Sequence, residues 1–213
     1  MAKPKGLGTL AVLWLMASVN GCGEVVESIK PDRVSVGMTG RQITGSCQGS
    51  KVDTMMPLWE ARAKKAAAKN LDTYARLQFN HGALSADHPI CSGKAEGDFE
   101  SLGFGLDYFP FPTRRLGLEM GVEGFRAEYE MRGRLGPIRQ ATSDSFWGSG
   151  FNLGLMGEVP LAKNERWKLV WGAGRNFDAV ERGRAKVDLG GWYGTMAIEF
   201  NLIFFACSIF RKC

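Results

Sequence analysis

The chain has 213 residues, a formal net charge of +5, 45% hydrophobic and 23% charged residues, and 28 glycines. That length allows one substantial domain, and the mild, scattered positive charge leaves no footprint for nucleic acid. The glycines lie mostly inside alternating apolar stretches, where they weaken helices and suit strands that bend or approach closely.

The N-terminus has the layout of a secretory signal. Lys3 and Lys5 precede an apolar run from Leu7 to Val19, and no acidic residue comes before Glu24. The run is too short for the roughly twenty residues that span a bilayer as a helix. It ends at Val19-Asn20-Gly21-Cys22, which resembles a bacterial lipobox. Residues 1–21 are therefore expected to be a signal peptide, with Cys22 the lipidated first residue of the mature chain; plain cleavage after Gly21 is the alternative. Loss of Lys3 and Lys5 would lower the formal charge from +5 to +3.

Residues 22–70 read as an N-terminal segment with little regular pattern. Val34, Val36 and Met38 alternate briefly, and Pro57–Asn70 (PLWEARAKKAAAKN) predicts a short helix, with proline near its start and good helix formers after it. Its basic face reads as a solvated surface in preference to a contact with anionic headgroups.

From Leu71 the apolar residues recur with the period of two that marks strands. Leu71, Thr73, Ala75, Leu77 and Phe79 share one face against Asp72, Tyr74, Arg76, Gln78 and Asn80. Five further stretches repeat the rhythm, with apolar faces Leu102–Tyr108, Leu116–Val122, Phe151–Leu161, Trp167–Ala173 and Trp192–Phe204. Connections alternate long and short, so short turns collect at one end of the sheet and long loops at the other. Residues 71–213 are thus expected to form an antiparallel barrel domain.

The minor face separates two kinds of barrel. A water-facing strand carries abundant lysine, glutamate, threonine and serine. Here glycine dominates, with isolated Arg76, Asp107, Glu119, Glu123, Glu158, Lys168 and Glu199. Small residues and a few charges suit a narrow lumen behind a lipid-facing exterior. Aromatics near strand ends (Tyr108, Phe109, Phe111, Phe146, Trp147, Trp167, Trp192, Tyr193) fit interfacial girdles.

With these features the chain resembles small bacterial outer-membrane β-barrel proteins, the class that includes the transmembrane domain of the OmpA family, over about residues 71–205. The resemblance implies an all-β, antiparallel up-and-down barrel of about eight strands, in contact with outer-membrane lipid, with short turns and both chain ends at the periplasm. Six strands are clear; the missing pair is expected from Arg33–Thr44 or from a hairpin within Phe125–Gln140. One departure is the C-terminus, where Phe210 is followed by Arg211-Lys212-Cys213 instead of closing the chain. In so small a barrel the inward charges are expected to be paired and structural, not a conducting path. The competing architecture is a lipid-anchored periplasmic barrel, lipocalin-like, with an apolar ligand inside.

Nothing in the chain spells out catalysis. Cys47, Cys91, Cys207 and Cys213 are candidate disulfide partners with three pairings open, and free thiols are the alternative. His81, His88 and Cys91 lie in one loop region but lack a fourth ligand at zinc-like spacing. An envelope enzyme built on that loop is the weakest reading. Gly103/Gly105 and Gly172/Gly174 fall within strands, not at phosphate-binding turns, and Gly148-Ser149-Gly150 lacks the setting of a nucleophile elbow. The expected protein has no enzyme activity, metal or cofactor, and serves a structural, interaction or minor transport role.

Overall fold

The computed structural model describes residues 31–47, 50–86, 93–135, 138–161, 166–177, 180–182, 185–188 and 190–202. The chain runs up and down through seven consecutive strands: β1 (Arg33–Cys47), β2 (Ser50–Ala68), β3 (Leu71–Ala86), β4 (Gly93–Tyr108), β5 (Gly117–Leu135), β6 (Ile138–Pro160) and β7 (Trp167–Phe177). A small hairpin, β8 (Val180–Arg182) and β9 (Ala185–Asp188), intervenes before β10 (Trp192–Asn201). Each of β1–β7 pairs antiparallel with its neighbour, β7 pairs with β10, and β10 returns to pair with β1 from Arg33↔Asn201 to Arg41↔Tyr193. The eight long strands therefore close on themselves, and closure leaves no unpaired edge in the barrel wall. The small hairpin attaches to the loop end of β1 at Thr44↔Asp188 and Gly45↔Val187.

Side-chain alternation follows the six predicted strands. Val122, Phe104, Leu153, Met196 and Ile198 point outward and are half exposed, while Arg76, Asp107, Glu119, Asn152 and Glu199 point inward and are buried. From Leu116 to Gly124 the outward positions of β5 are uncharged. At about 3.3 Å per residue and a tilt of about 40° this gives an apolar band roughly 23 Å tall, close to the hydrocarbon band of membrane barrels.

Two expectations are corrected. Pro57–Asn70 is not a helix: it is the greater part of β2, through Ala68, followed by a turn. Nor does the barrel begin at Leu71, because β1 and β2 supply the two strands the sequence count lacks, and the barrel domain starts at Arg33. The reason is tertiary. Alternate residues of β2 place Pro57, Trp59, Ala61 and Ala63 on the outer surface and Leu58, Glu60, Arg62 and Lys64 inside, where each charge meets a partner from another strand. Helix propensity, worth only tenths of a kcal/mol per residue, yields to that.

The ladders are unequal at the loop end. The described β6–β7 pairs stop at Phe151↔Phe177, whereas β5 and β6 stay paired to Leu135↔Ile138. Ile138–Gly150 thus forms the free edge of an extension roughly 40 Å along the strand, at about 3.3 Å per residue, in which β5 is also paired with β4 as far as Gly93↔Gly133. β3 and β4 extend similarly to Ala86↔Gly93.

Candidate functional site

The distinctive chemistry of the barrel is its interior. Among the described residues seven cations (Arg33, Arg41, Arg62, Lys64, Arg76, Arg114 and Lys168) meet seven carboxylates (Glu60, Asp72, Asp107, Glu119, Glu123, Glu158 and Glu199) there. Five of the cations come from β1–β3 and five of the carboxylates from β4, β5, β6 and β10. Attraction therefore acts across the lumen.

Midway along the barrel, Glu119 is the hub. It accepts hydrogen bonds from Arg62 (3.1 Å), Arg76 (3.2 Å), Tyr74 (3.2 Å) and Asn152 (2.9 Å). Arg76 also donates to Glu123 at 3.2 Å, and Arg41 donates to Glu123 at 2.7 Å. Glu60 has both oxygens occupied: Oε1 by Arg62 (2.7 Å) and Thr195 (3.3 Å), Oε2 by Thr39 (2.7 Å) and Gln78 (2.7 Å). Pairing with opposite charge is what permits this burial, since an unpaired ion in this setting costs several kcal/mol. Intact pairs of this kind contribute little net stability, whereas removing one partner is costly.

Toward the short-turn end a second cluster forms around Glu158, which lies 2.8 Å from Lys168, 3.1 Å from Arg33 and 3.2 Å from Arg114. Lys64 sits 3.2 Å from both Asp107 and Glu199. Arg114 adopts a left-handed backbone (φ 53°) in the β4–β5 turn. This turns its guanidinium back into the barrel mouth, over the ring of Phe109 at 4.1 Å and against Asp72. Such a conformation in a non-glycine residue costs of order 1 kcal/mol and persists where surrounding contacts demand it.

Apolar plugs flank the charged layers. Ile43, Met56, Leu58, Phe99, Phe125 and Ala127 pack together toward the loop end, with Arg41 over the Phe99 ring at 5.1 Å. Phe109, Met156, Val170 and Ala197 form a smaller cluster inside the wall. Buried side chains from all these layers point into the lumen, whose width in an eight-stranded barrel is just enough for side chains to fill.

Glycines make room for the two interior tyrosines. A Cβ on Gly121 would lie 2.4 Å from Tyr74 Oη and 2.9 Å from the Phe104 carbonyl oxygen. A Cβ on Gly154 would lie 2.4 Å from Tyr193 Oη. Gly121→Val is expected to destabilise the barrel by about 1–3 kcal/mol through overpacking, read as a lowered urea midpoint of unfolding.

The structure places Arg76, Asp107, Glu119, Glu123, Glu158 and Glu199 inside, with Lys168 half-buried at the short-turn mouth. Sequence reasoning missed Arg33, Arg41, Glu60, Arg62, Lys64 and Arg114. For β2 the alternation Trp59, Ala61, Ala63 against Glu60, Arg62, Lys64 was the available signal. Two of the aromatics assigned to girdles, Phe109 and Tyr193, are buried inside, because alternation places them opposite outward Tyr108 and Trp192. An apolar ligand chamber is also overturned: the core of the barrel is ionic and its apolar face is outermost. Cys47 ends β1, whereas Cys22, Cys91, Cys207, Cys213 and His88 lie outside the described residues. No metal-holding group of histidine, cysteine, aspartate and glutamate occurs among the described residues.

No family model and no curated protein sequence matches the chain. Solved structures match in fold. Ail, the attachment invasion locus protein of Yersinia pestis, is 12% identical with a TM-score of 0.50, over 80% of this chain and 99% of that one. A major outer membrane protein from Thermus thermophilus is 11% identical with a TM-score of 0.47, over 79% of this chain and 98% of that one. Neisserial surface protein A is 11% identical with a TM-score of 0.40, over 79% and 97% respectively. At such identity the likeness is one of architecture: the chain is a closed, eight-stranded antiparallel barrel with the fold of Ail.

Proposed function

We propose that the protein is an outer-membrane β-barrel, non-enzymatic and non-conducting, which anchors extended hairpins at the cell surface for a structural or interaction role. The observation that carries this reading is the inversion of the barrel. Charged side chains are buried inside, while Phe104, Val122, Leu153, Met196 and Ile198 are exposed outside. A barrel in water would have the opposite arrangement, since large contiguous apolar surface is avoided there. In lipid the same surface is at home. Both ends of the barrel wall, Arg33 and Asn201, lie at the short-turn end, which we assign to the periplasm. The paired β5–β6 extension then projects outward.

The export signal in residues 1–21 and lipidation at Cys22 belong to the same proposal. The test is to express the Cys22→Ser variant, fractionate the envelope and extract with carbonate. Retention in the outer-membrane pellet, with heat-modifiable migration on a detergent gel, is the expected result. Release into the soluble periplasmic fraction would overturn the membrane reading.

Closure of the lumen leads to a further expectation. Planar bilayers containing the folded protein should show no steady ion current above that of the bare bilayer. Reproducible open steps would mean that the ionic layers part, and would move the role toward transport.

A further inference from the structure

We propose that the short-turn rim is a basic collar that binds the phosphate headgroups of anionic glycerophospholipids in the periplasmic leaflet; the inference rests on the membrane reading above.

The charge of the chain is sorted by depth. Among the described residues, seven interior cations oppose seven carboxylates, so these contribute no excess. At the loop end the described outward charges are mixed, with Asp98, Glu100 and Glu128 beside Arg126 and Arg175, and Arg126 pairs with Glu128. At the short-turn end the sign is one-sided. Lys65 and Lys69 border the β2–β3 turn, Arg115 lies in the β4–β5 turn, and Arg166 immediately precedes β7. Lys69, Arg115 and Arg166 are exposed and Lys65 is half-buried. The described carboxylate at that rim outside the lumen is Asp32, which accepts from the Ala66 amide at 3.0 Å.

Position supports the assignment. Arg115 and Arg166 adjoin outward Leu116 and Trp167 in the chain, so they stand one step beyond the apolar band, at headgroup depth. A recess of about 210 Å³ opens there between Arg33, Arg166, Lys168, Glu199, Phe200 and Asn201. Its carboxylate, Glu199, is already engaged by Arg33 and Lys64 at 3.1 and 3.2 Å. Beside it Trp167 and Phe200 pack at 5.6 Å between ring centroids on the outer surface, where an acyl chain would descend. Guanidinium and ammonium groups at this depth attract an anionic headgroup by roughly fivefold in affinity for each residue at low salt, and salt screens the effect. Lipid A also carries phosphate, but at the opposite leaflet, where the described charges are mixed.

The test uses the full-length mature protein folded in neutral detergent and titrated with mixed micelles of the same detergent containing either phosphatidylglycerol or phosphatidylcholine, followed by tryptophan fluorescence. Phosphatidylglycerol is expected to bind at least about tenfold more tightly at low salt, and the preference should vanish in high salt. In a variant carrying Lys65→Gln, Lys69→Gln, Arg115→Gln and Arg166→Gln it should fall to about twofold or less. The milder pair Lys69→Gln/Arg115→Gln, both exposed, should fall between. Heat-modifiable migration of each protein reports folding separately, so a barrel that folds without lipid preference sinks the collar and leaves the membrane reading standing. The collar is equally overturned if the four-site variant keeps the preference. Tighter binding of lipid A, lost on Arg126→Gln/Arg175→Gln instead, would place the phosphate site at the other rim.

Discussion

Glu119→Ala is expected to lower the stability of the folded barrel by about 3–5 kcal/mol, the largest effect of any single interior substitution considered. Its carboxylate is buried and takes hydrogen bonds from Arg62, Arg76, Tyr74 and Asn152. Arg62 and Arg76 would keep Glu60 and Glu123, but the interior would carry one uncompensated positive charge in a setting that hydrates it poorly. Urea unfolding in detergent, followed by tryptophan fluorescence, measures the loss. The double variant Glu119→Leu/Arg76→Leu removes a matched pair and should cost clearly less than the sum of its single variants. Additive costs would show that the two groups are not coupled. A near-zero cost for Glu119→Ala alone would show that water reaches the interior freely.

Met120→Arg addresses the outer surface with a comparably large effect. Met120 is 45% exposed at the middle of the apolar stretch Leu116–Gly124, flanked by Leu106 and Leu153 on the neighbouring strands. In water a surface substitution of this kind changes stability by no more than about 0.5 kcal/mol. At the midplane of a bilayer arginine costs about 2–4 kcal/mol. Reversible folding into phospholipid vesicles should therefore show a loss in that higher range, while Ala67→Arg beside the short turn changes little. Equal, small effects at both positions would place the band in water and remove the basis for the membrane assignment.

The parts legible in the chain are those whose period is carried by large side chains. Leu102, Phe104, Leu106 and Tyr108 stand against Ser101, Gly103, Gly105 and Asp107, and β4 forms there. The same holds for β3, β5, β6, β7 and β10, but the connections expected to be long loops are largely strand: β3 runs to Ala86 and β4 starts at Gly93, β5 runs to Leu135 and β6 starts at Ile138. β1 and β2 were hidden for a specific reason. Their outward faces are built partly from Gly40, Pro57, Ala61 and Ala63, which carry little hydrophobic signal, and their inward faces from Arg41, Glu60, Arg62 and Lys64, which resemble a solvated surface. In β2 the run of alanine and lysine also matches a helix, and only partners on other strands reverse that reading.

The alternation of the chain and its small, sparsely charged minor face were written in the amino acids alone. Those are properties of single strands, because successive side chains leave a strand on opposite sides whatever the strand packs against. Closure between β1 and β10, the matching of seven interior cations with seven carboxylates, and the inward turn of Arg114 were decided only by the tertiary structure. Each joins residues far apart in the chain; Arg41 and Glu123, for instance, are 82 positions apart. A charge read alone looks like surface. It becomes interior only when the wall closes around it and brings the opposite charge within about 3 Å.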